Sequence, residues 1–136
     1  MRRVLVVEDS PSTRAFVRAI LEDESFGGPL GGLTVVEASS GFDAMRFLPR
    51  GPYDLIVTDI NMGAINGLEL IRFIRGSDHH KDTPLLIMST QSTERDVERG
   101  LSLGADGFIA KPFTREALQQ VVLQHLEHKT AHKTAP

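Results

Sequence analysis

No cysteine occurs among the 136 residues of the chain, so disulfide bonds and thiolate metal sites are excluded. No apolar run approaches the roughly 20 residues of a membrane-spanning helix. Positive charge is not in excess, because 15 Lys and Arg stand against 18 Asp and Glu and leave a net charge of −3. A chain this acidic is not generally attracted to nucleic-acid phosphates or anionic lipid, and we expect partners of neither kind.

We expect no secretory leader at the N-terminus. Met1, Arg2 and Arg3 precede only four apolar residues before Glu8, whereas a signal peptide needs a longer apolar stretch and a cleavage site with small residues. We therefore expect a cytoplasmic protein.

The length and composition suit one globular domain. The chain is close to the roughly 150 residues typical of a single domain, and hydrophobic residues make up 40% and charged residues 24% of it. We predict one domain over residues 1–128. A polar tail over residues 129–136 follows, and we expect it to be disordered.

Short apolar segments alternate with longer amphipathic segments along the chain. The apolar segments are residues 4–7, 33–36, 55–57, 85–88 and 108–109. Their short length is typical of strands buried on both faces of a parallel sheet. The alternation of strands and helices predicts an α/β fold, with one doubly wound parallel sheet, helices on both faces and right-handed crossovers.

Five amphipathic segments predict the helices. In the first, Ser10 can act as the N-cap and Pro11 fits the first helical position, and we expect Phe16, Ala19 and Ile20 to share the buried face. Apolar residues at helical spacing mark the other helices, at residues 44–48, 67–74, 97–101 and 118–126. The glycine-rich stretch 25–32 is expected to be an irregular loop.

Polar side chains stand at the carboxyl ends of four of the five predicted strands. They are Glu8 and Asp9, Asp59 with Asn61, Ser89 with Thr90, and Lys111. Ligands of open α/β sheets bind at this edge. Three carboxylates, a hydroxyl and an amine would therefore gather in one place.

Such a cluster of acids needs a cation. Two carboxylates about 4 Å apart repel each other by roughly 4 kcal/mol at an effective dielectric constant of 20. Mg²⁺ suits such a site, since it takes one or two carboxylates together with phosphate oxygens. With a lysine and a hydroxyl nearby, the site can stabilise a phosphoryl group on its way to a carboxylate oxygen. Asp59, at the end of the third strand, is best placed to be the acceptor.

Five segments together resemble the receiver domain of bacterial two-component response regulators, of the CheY-like kind. They are VLVVEDS (4–10), DLIVTDINM (54–62), NGLEL (66–70), LIMST (86–90) and GADGFIAKPF (104–113). The resemblance spans about residues 2–127. It implies the flavodoxin-like (βα)5 receiver fold, with the strand order 2-1-3-4-5 known for this family.

The resemblance implies a role for each residue of the acidic cluster. Asp59 matches the phosphorylated aspartate, and Asp9 matches the direct Mg²⁺ ligand. Glu8 matches the partner acid that usually acts through water. Asn61 matches the position whose backbone carbonyl completes the metal site.

Three further residues match the switch of the family. Ser89 matches the hydroxyl that hydrogen-bonds the phosphoryl group, and Lys111 matches the lysine that pairs with it. Phe108 matches the aromatic residue whose ring turns inward when the hydroxyl moves. The resemblance also implies a cis peptide bond between Lys111 and Pro112.

The sequence departs from the family pattern at three positions. Gly63 stands where the family usually has Pro, which should loosen the loop after Asp59. Thr90 stands where the family often has Ala or Gly, and its branched side chain could crowd the approach of a phosphodonor or of water. Phe108 lacks the hydroxyl of the Tyr found in chemotaxis members.

The resemblance implies a single-domain response regulator that assists its own phosphorylation and dephosphorylation rather than an enzyme with a separate substrate. A sensor histidine kinase would donate the phosphoryl group, and an output protein would bind the face formed by the fourth helix, fifth strand and fifth helix. We place on this face Arg95, Glu98, Arg99, Phe108 and Gln119. Chemotaxis is one pathway in which such a domain would act by protein contact.

Two alternatives belong to other classes of function. A receiver-shaped scaffold would bind partners without phosphorylation, and it would be expected to lose an acid, the hydroxyl or the lysine, all of which are present here. A Mg²⁺-dependent phosphatase with an aspartyl-phosphate intermediate, of the haloacid-dehalogenase type, needs a second Asp where this chain has Asn61.

Overall fold

The computed structural model describes residues 1–61, 66–90 and 94–134, without the side chains of Thr90 and of residues 127–134. Within these residues, five parallel strands form one sheet in the order β2-β1-β3-β4-β5, which confirms the predicted order. The strands are β1 (Arg2–Val7), β2 (Leu33–Ala38), β3 (Leu55–Asp59), β4 (Leu85–Thr90) and β5 (Gly107–Lys111).

In the part of the chain that the structure describes, five helices of seven residues or more connect and follow these strands. They are α1 (Pro11–Leu21), α2 (Gly41–Phe47), α3 (Gly67–Arg75), α4 (Glu94–Leu103) and α5 (Arg115–Thr134). A one-turn helix spans Glu24–Gly27, and 3-10 turns span Gly28–Leu30 and Leu48–Arg50. Among the described residues, we find no helix with the length and apolar character that a membrane span requires.

The sheet has a hydrophobic core on each face. Successive strand residues point to opposite faces, so Leu5 of β1 contributes to one core and Val6 to the other, and both are fully buried. Helices α2, α3 and α4 cover the first core, and α1 and α5 cover the second. The sheet is therefore doubly wound, as the sequence predicts.

Helix α1 begins as predicted but buries a different face. The Ser10 hydroxyl accepts a hydrogen bond from the Thr13 backbone N–H at 3.3 Å, and Pro11 is the first helical residue. The buried residues are Val17, Ile20 and Leu21, whereas Phe16 is 48% exposed. The predicted face of Phe16, Ala19 and Ile20 is wrong by about one residue, because Val17 and Leu21 lie closer to the strands.

The glycine-rich stretch is ordered and not the irregular loop that we expected. The Asp23 carboxylate caps the one-turn helix by accepting the Ser25 backbone N–H at 3.1 Å. Phe26 and Leu30 pack against the core under α1 and α5. Burying these two apolar side chains stabilises the packing of the segment onto the domain.

Helix α5 continues past the predicted boundary at residue 128. Its backbone is helical to Thr134, where we expected a disordered tail from residue 129. No glycine or proline stands between Arg115 and Thr134 to end the helix. Residues 135–136 lie outside the described part of the chain, and the domain boundary itself stays a prediction.

Candidate functional site

Three strand ends bring the predicted site residues to one edge of the sheet. Glu8 directly follows β1, Asp59 is the last residue of β3, and Lys111 is the last residue of β5. The strands are parallel, with Val7 paired to Thr58 in the register, so their carboxyl ends coincide. Residues far apart in the sequence therefore share a pocket, as the alternating pattern predicts.

The amine of Lys111 connects two carboxylates in this pocket. Its Nζ donates to Glu8 Oε1 at 2.6 Å and to Asp59 Oδ2 at 3.1 Å. Glu8 is 1% exposed and Asp59 is 6% exposed. Charge-assisted hydrogen bonds of this kind are stronger than neutral ones, so the lysine partly neutralises the two buried acids.

Burial and pairing shift the pKa values of both partners. Burial raises the pKa of Glu8, and the nearby carboxylates of Asp9 and Asp59 raise it further, against the lowering effect of the hydrogen bonds from Lys111 and Ser10. For Lys111, burial alone would lower the pKa, but the two carboxylates outweigh it and the net pKa is raised. The amine therefore stays protonated, and the site still carries excess negative charge.

A third carboxylate completes a candidate cation site. Glu8, Asp9 and Asp59 each offer one carboxylate oxygen, and these atoms lie within 4.8 Å of one another. Asp9 is the exposed member of the three. An all-oxygen donor set with several negative charges and one open side suits Mg²⁺, which keeps part of its water shell in proteins. The residues present thus fit the ion that the sequence predicts.

The backbone around Asp59 supports its carboxylate. The Asn61 backbone N–H donates to Asp59 Oδ1 at 3.2 Å, and Asn61 itself is exposed. The Gly67 backbone N–H donates to the Ile60 carbonyl at 2.8 Å, which brings the start of α3 close to the end of β3. The acceptor candidate is therefore held by its own loop as well as by Lys111.

The predicted switch residues lie on the neighbouring strands. Ser89 is 2% exposed and follows Met88, the residue that pairs with Asp59 in the β3–β4 register. Phe108 of β5 is 49% exposed. The Lys111–Pro112 peptide bond is cis, as predicted. Gly63 and the side chain of Thr90, where the sequence departs from the family pattern, lie outside the described residues.

One residue assigned to the output face lies elsewhere. The Gln119 side chain donates to the Ile20 backbone carbonyl of α1 at 3.2 Å, so it faces α1. Arg95, Glu98 and Arg99 of α4 are exposed, as expected for that face. The face assigned to Gln119 is wrong because periodicity alone does not say on which side a neighbouring helix lies.

The sequence alone gave no role to two residues near the site. A Cβ on Gly67 would lie 2.4 Å from the Asp59 carbonyl oxygen and 2.6 Å from the Ile60 Cα, so only glycine permits this approach. The Arg14 guanidinium donates to the Glu8 carbonyl at 2.8 Å. The only signal for Arg14 in the sequence is its position one turn after the Ser10 cap, which is too common a feature to single it out.

The protein is a doubly wound α/β domain. Its site, at the carboxyl edge of the sheet, combines a pair of acids with a lysine. The family model described as the response regulator receiver domain matches residues 4–123. The chain belongs to this family, the receiver domains of response regulators in two-component signalling.

Curated relatives and solved structures agree with this assignment. The chemotaxis protein CheY-3 of Vibrio cholerae is 30% identical over 118 residues, which cover 87% of this chain and 86% of that protein. The crystallised chemotaxis protein CheY4 of Vibrio cholerae superposes with a TM-score of 0.79 at 30% identity, covering 91% of this chain and 98% of that one.

A further solved structure carries a metal. It is the receiver domain of the sensor histidine kinase PA1611 from Pseudomonas aeruginosa, with a magnesium ion coordinated in its active-site cleft. It superposes with a TM-score of 0.80 at 27% identity, and the match covers 93% of this chain and 98% of that one.

Proposed function

We propose that the protein is a response regulator whose receiver domain accepts a phosphoryl group on Asp59 from a sensor histidine kinase. The observation that carries the proposal is the joint contact of the Lys111 amine with Glu8 and Asp59, in a site where the Asp9 carboxylate lies within 4.8 Å of both acids. Phosphoryl transfer to a carboxylate requires an acceptor, a cation and a pair of acids that bind a metal ion.

The transfer exchanges one bond to phosphorus for another. An Asp59 carboxylate oxygen attacks the phosphorus of the donor's phosphohistidine, an O–P bond forms, and the P–N bond breaks. The electron pair of that bond returns to the imidazole of the donor. The Lys111 amine, which donates to Asp59 Oδ2 at 3.1 Å before transfer, is in reach of the phosphoryl oxygens that arrive there.

Glu8, Asp9 and Asp59, with the backbone carbonyl of Asn61, are the residues that would hold Mg²⁺ in this proposal. The bound ion would neutralise charge on the phosphoryl oxygens during the transfer. The protein keeps Glu8 buried and leaves Asp9 exposed, so one side of the site is formed in advance and the other is open to water and to the donor.

The signal would leave through the face of α4, β5 and α5. In the proposal, Ser89 moves to hydrogen-bond the new phosphoryl group, and Phe108, now 49% exposed, turns inward. A change of this kind shifts a two-state equilibrium at a surface. An output protein that prefers one state would bind there.

The pathway and location are parts of the same proposal. Curated relatives in Vibrio cholerae and Pseudomonas aeruginosa are named as chemotaxis proteins, which supports a role in chemotaxis signalling. The protein would work in the cytoplasm as a phospho-acceptor that assists its own phosphorylation and dephosphorylation, and not as an enzyme that acts on another substrate.

The test is phosphorylation of an Asp59→Asn variant with labelled acetyl phosphate and Mg²⁺. We expect the wild type to incorporate label and the variant to lose it, since the amide oxygen is a poor nucleophile. Asp78→Asn, at an exposed loop position, is the control and should label like the wild type. Undiminished labelling of Asp59→Asn would move the acceptor elsewhere. Incubation with each labelled kinase of the host would then identify the donor.

A further inference from the structure

We propose that Arg14 is a positioning residue for the divalent cation, and that it acts by fixing the peptide plane between Glu8 and Asp9. This inference rests on the function proposed above. Arg14 lies on α1 and touches none of the three carboxylates of the site in the contacts described. Its guanidinium Nη1 donates to the Glu8 carbonyl oxygen at 2.8 Å.

The carbonyl that Arg14 holds belongs to the peptide leading to Asp9. The atoms from the Cα of Glu8 to the Cα of Asp9 lie in one plane, so the direction of that oxygen sets where the Asp9 side chain begins. Asp9 is the exposed acid of the three, and surrounding side chains restrict it least. Fixing this plane lowers the conformational freedom that cation binding would otherwise have to remove.

Arg14 is itself held in place from the opposite side. Its Nε donates to Glu37 Oε1 of β2 at 3.2 Å, and its side chain is 18% exposed. The Glu8 backbone N–H donates to the carbonyl of Ala38, the next residue of β2, at 3.0 Å. Both backbone groups of Glu8 are therefore tied to the end of β2, one directly and one through Arg14.

The side chain of Glu8 is restrained as well. Its Oε1 accepts from Lys111 at 2.6 Å, and its Oε2 accepts from the Ser10 backbone N–H at 3.0 Å. Glu8 thus has all of its polar groups engaged, and Arg14 supplies the contact that transmits this rigidity toward Asp9. Groups that orient metal ligands in this way change metal affinity about 10- to 100-fold when removed.

A second effect of Arg14 has the opposite sign. A positive charge near the site would repel Mg²⁺, so removing it would strengthen binding if charge alone mattered. Glu37 offsets part of that charge at 3.2 Å, and it shares its own charge with Arg18 at 2.7 Å. The positioning effect should therefore dominate, and the sign of the change in affinity separates the two explanations.

The experiment measures the Mg²⁺ dissociation constant of the full chain by NMR titration. The backbone amides of Ser10 and Asn61 report on the site directly, because they donate to carboxylates of Glu8 and Asp59. We expect Arg14→Gln to weaken binding about tenfold. Arg14→Lys, whose amine can still reach the Glu8 carbonyl, should recover part of the affinity.

Arg18→Gln is the matched control. Arg18 contacts Glu37 at 2.7 Å and Glu22 at 3.0 Å, so this variant loses an ion pair to the same glutamate without touching Glu8. It should bind Mg²⁺ as the wild type does, even if both arginine variants melt at a lower temperature. Equal dissociation constants for Arg14→Gln and Arg18→Gln, or tighter binding by Arg14→Gln, would overturn the inference.

The wild type separates this inference from the proposed function. If the wild type shows no Mg²⁺-dependent shift and no labelling, the proposed function fails. If the wild type binds Mg²⁺ and labels on Asp59 while Arg14→Gln behaves like the control, only the role of Arg14 is refuted.

Discussion

Glu8 carries a charge that is costly to bury. It is 1% exposed beside two other acids, and among the described residues the Lys111 amine at 2.6 Å and the Ser10 amide at 3.0 Å offset its charge. Burying a carboxylate without full pairing is unfavourable. The raised pKa of Glu8 expresses that cost, and a bound divalent cation would remove it.

The first prediction follows from the direction of this shift. The folded protein keeps the Glu8 proton at pH values where the unfolded chain has released it. The contribution of this carboxyl to stability is therefore greatest in acid and declines as the pH rises from about 4.5 through the raised pKa. In the absence of divalent cations, Glu8→Gln should melt a few degrees above the wild type at pH 7 and near it at pH 4.

Thermal melts of both proteins across this pH range measure the effect. All other titrating groups are present in both proteins, so the difference between the curves reports on Glu8 together with its effect on Asp59 and Lys111. A difference that stays constant between pH 4 and pH 7 would contradict the prediction.

At the level of single residues, the sequence identifies the residues that carry the chemistry but not the residues that hold them in place. Glu8, Asp9, Asp59 and Lys111 stand at strand ends and could be recognised as a group. The exact partners could not, because Lys111 and Glu8 are 103 positions apart, and nothing in a linear pattern says which oxygen an amine reaches. Arg14 was missed for the same reason.

At the level of elements, the start of α3 makes a close backbone approach to the end of β3, next to the site. Asn66 caps α3 by accepting the Glu69 backbone N–H at 3.0 Å, and Gly67 then passes close to the Asp59 carbonyl. A side chain at this position would meet backbone atoms, which cannot move aside as a flexible side chain can. The placement of α3 thus requires glycine at this position, because glycine has a hydrogen atom where alanine has a methyl group.

The second prediction concerns Gly67→Ala. The new methyl group should push α3 away from β3, cost about 1–3 kcal/mol of unfolding free energy, and slow the labelling of Asp59. Urea denaturation and the acetyl phosphate assay measure the two effects.

Gly28→Ala is the matched control for that substitution. Apart from its chain neighbours, no atom lies within 4 Å of a Cβ at Gly28, and its φ of −54° is that of a right-handed helix. It should cost less stability than Gly67→Ala, because only the ring of Pro29 opposes a side chain on the preceding residue, and it should label normally. Equal stability and labelling in the two variants would show that the space between α3 and β3 can accommodate a methyl group.

The elements themselves show what periodicity can and cannot predict. All five strands were predicted, because buried parallel strands are short and continuously apolar. The face of α1 was placed one residue away, and the ordered segment at residues 24–30 was expected to be irregular. Both depend on packing against α5 and the sheet, which the local pattern does not contain.

At the level of the whole molecule, the acids of the site belong to two strand ends that the unfolded chain does not hold together. A cation that binds all three acids therefore binds the folded state in preference to the unfolded one. Such binding stabilises the fold according to the ligand concentration.

The third prediction is that Mg²⁺ raises the melting temperature of the wild type. At a concentration 100 times the dissociation constant, the gain is about 2.7 kcal/mol of unfolding free energy. Asp9→Asn should lose most of this gain, whereas NaCl at the same ionic strength should not reproduce it. A melting temperature indifferent to Mg²⁺ would contradict the metal site.

The contact of Lys111 with Glu8 and Asp59 across the sheet edge also has a consequence for folding during synthesis. Among the strands that the structure describes, the one that carries Lys111 comes last in the chain and so emerges last during synthesis, and it joins the sheet beside β4. Until it docks, the two acids lack their counter-charge and the acceptor pocket is unfinished. In the function proposed above, a nascent chain would therefore be unable to accept a phosphoryl group before β5 docks.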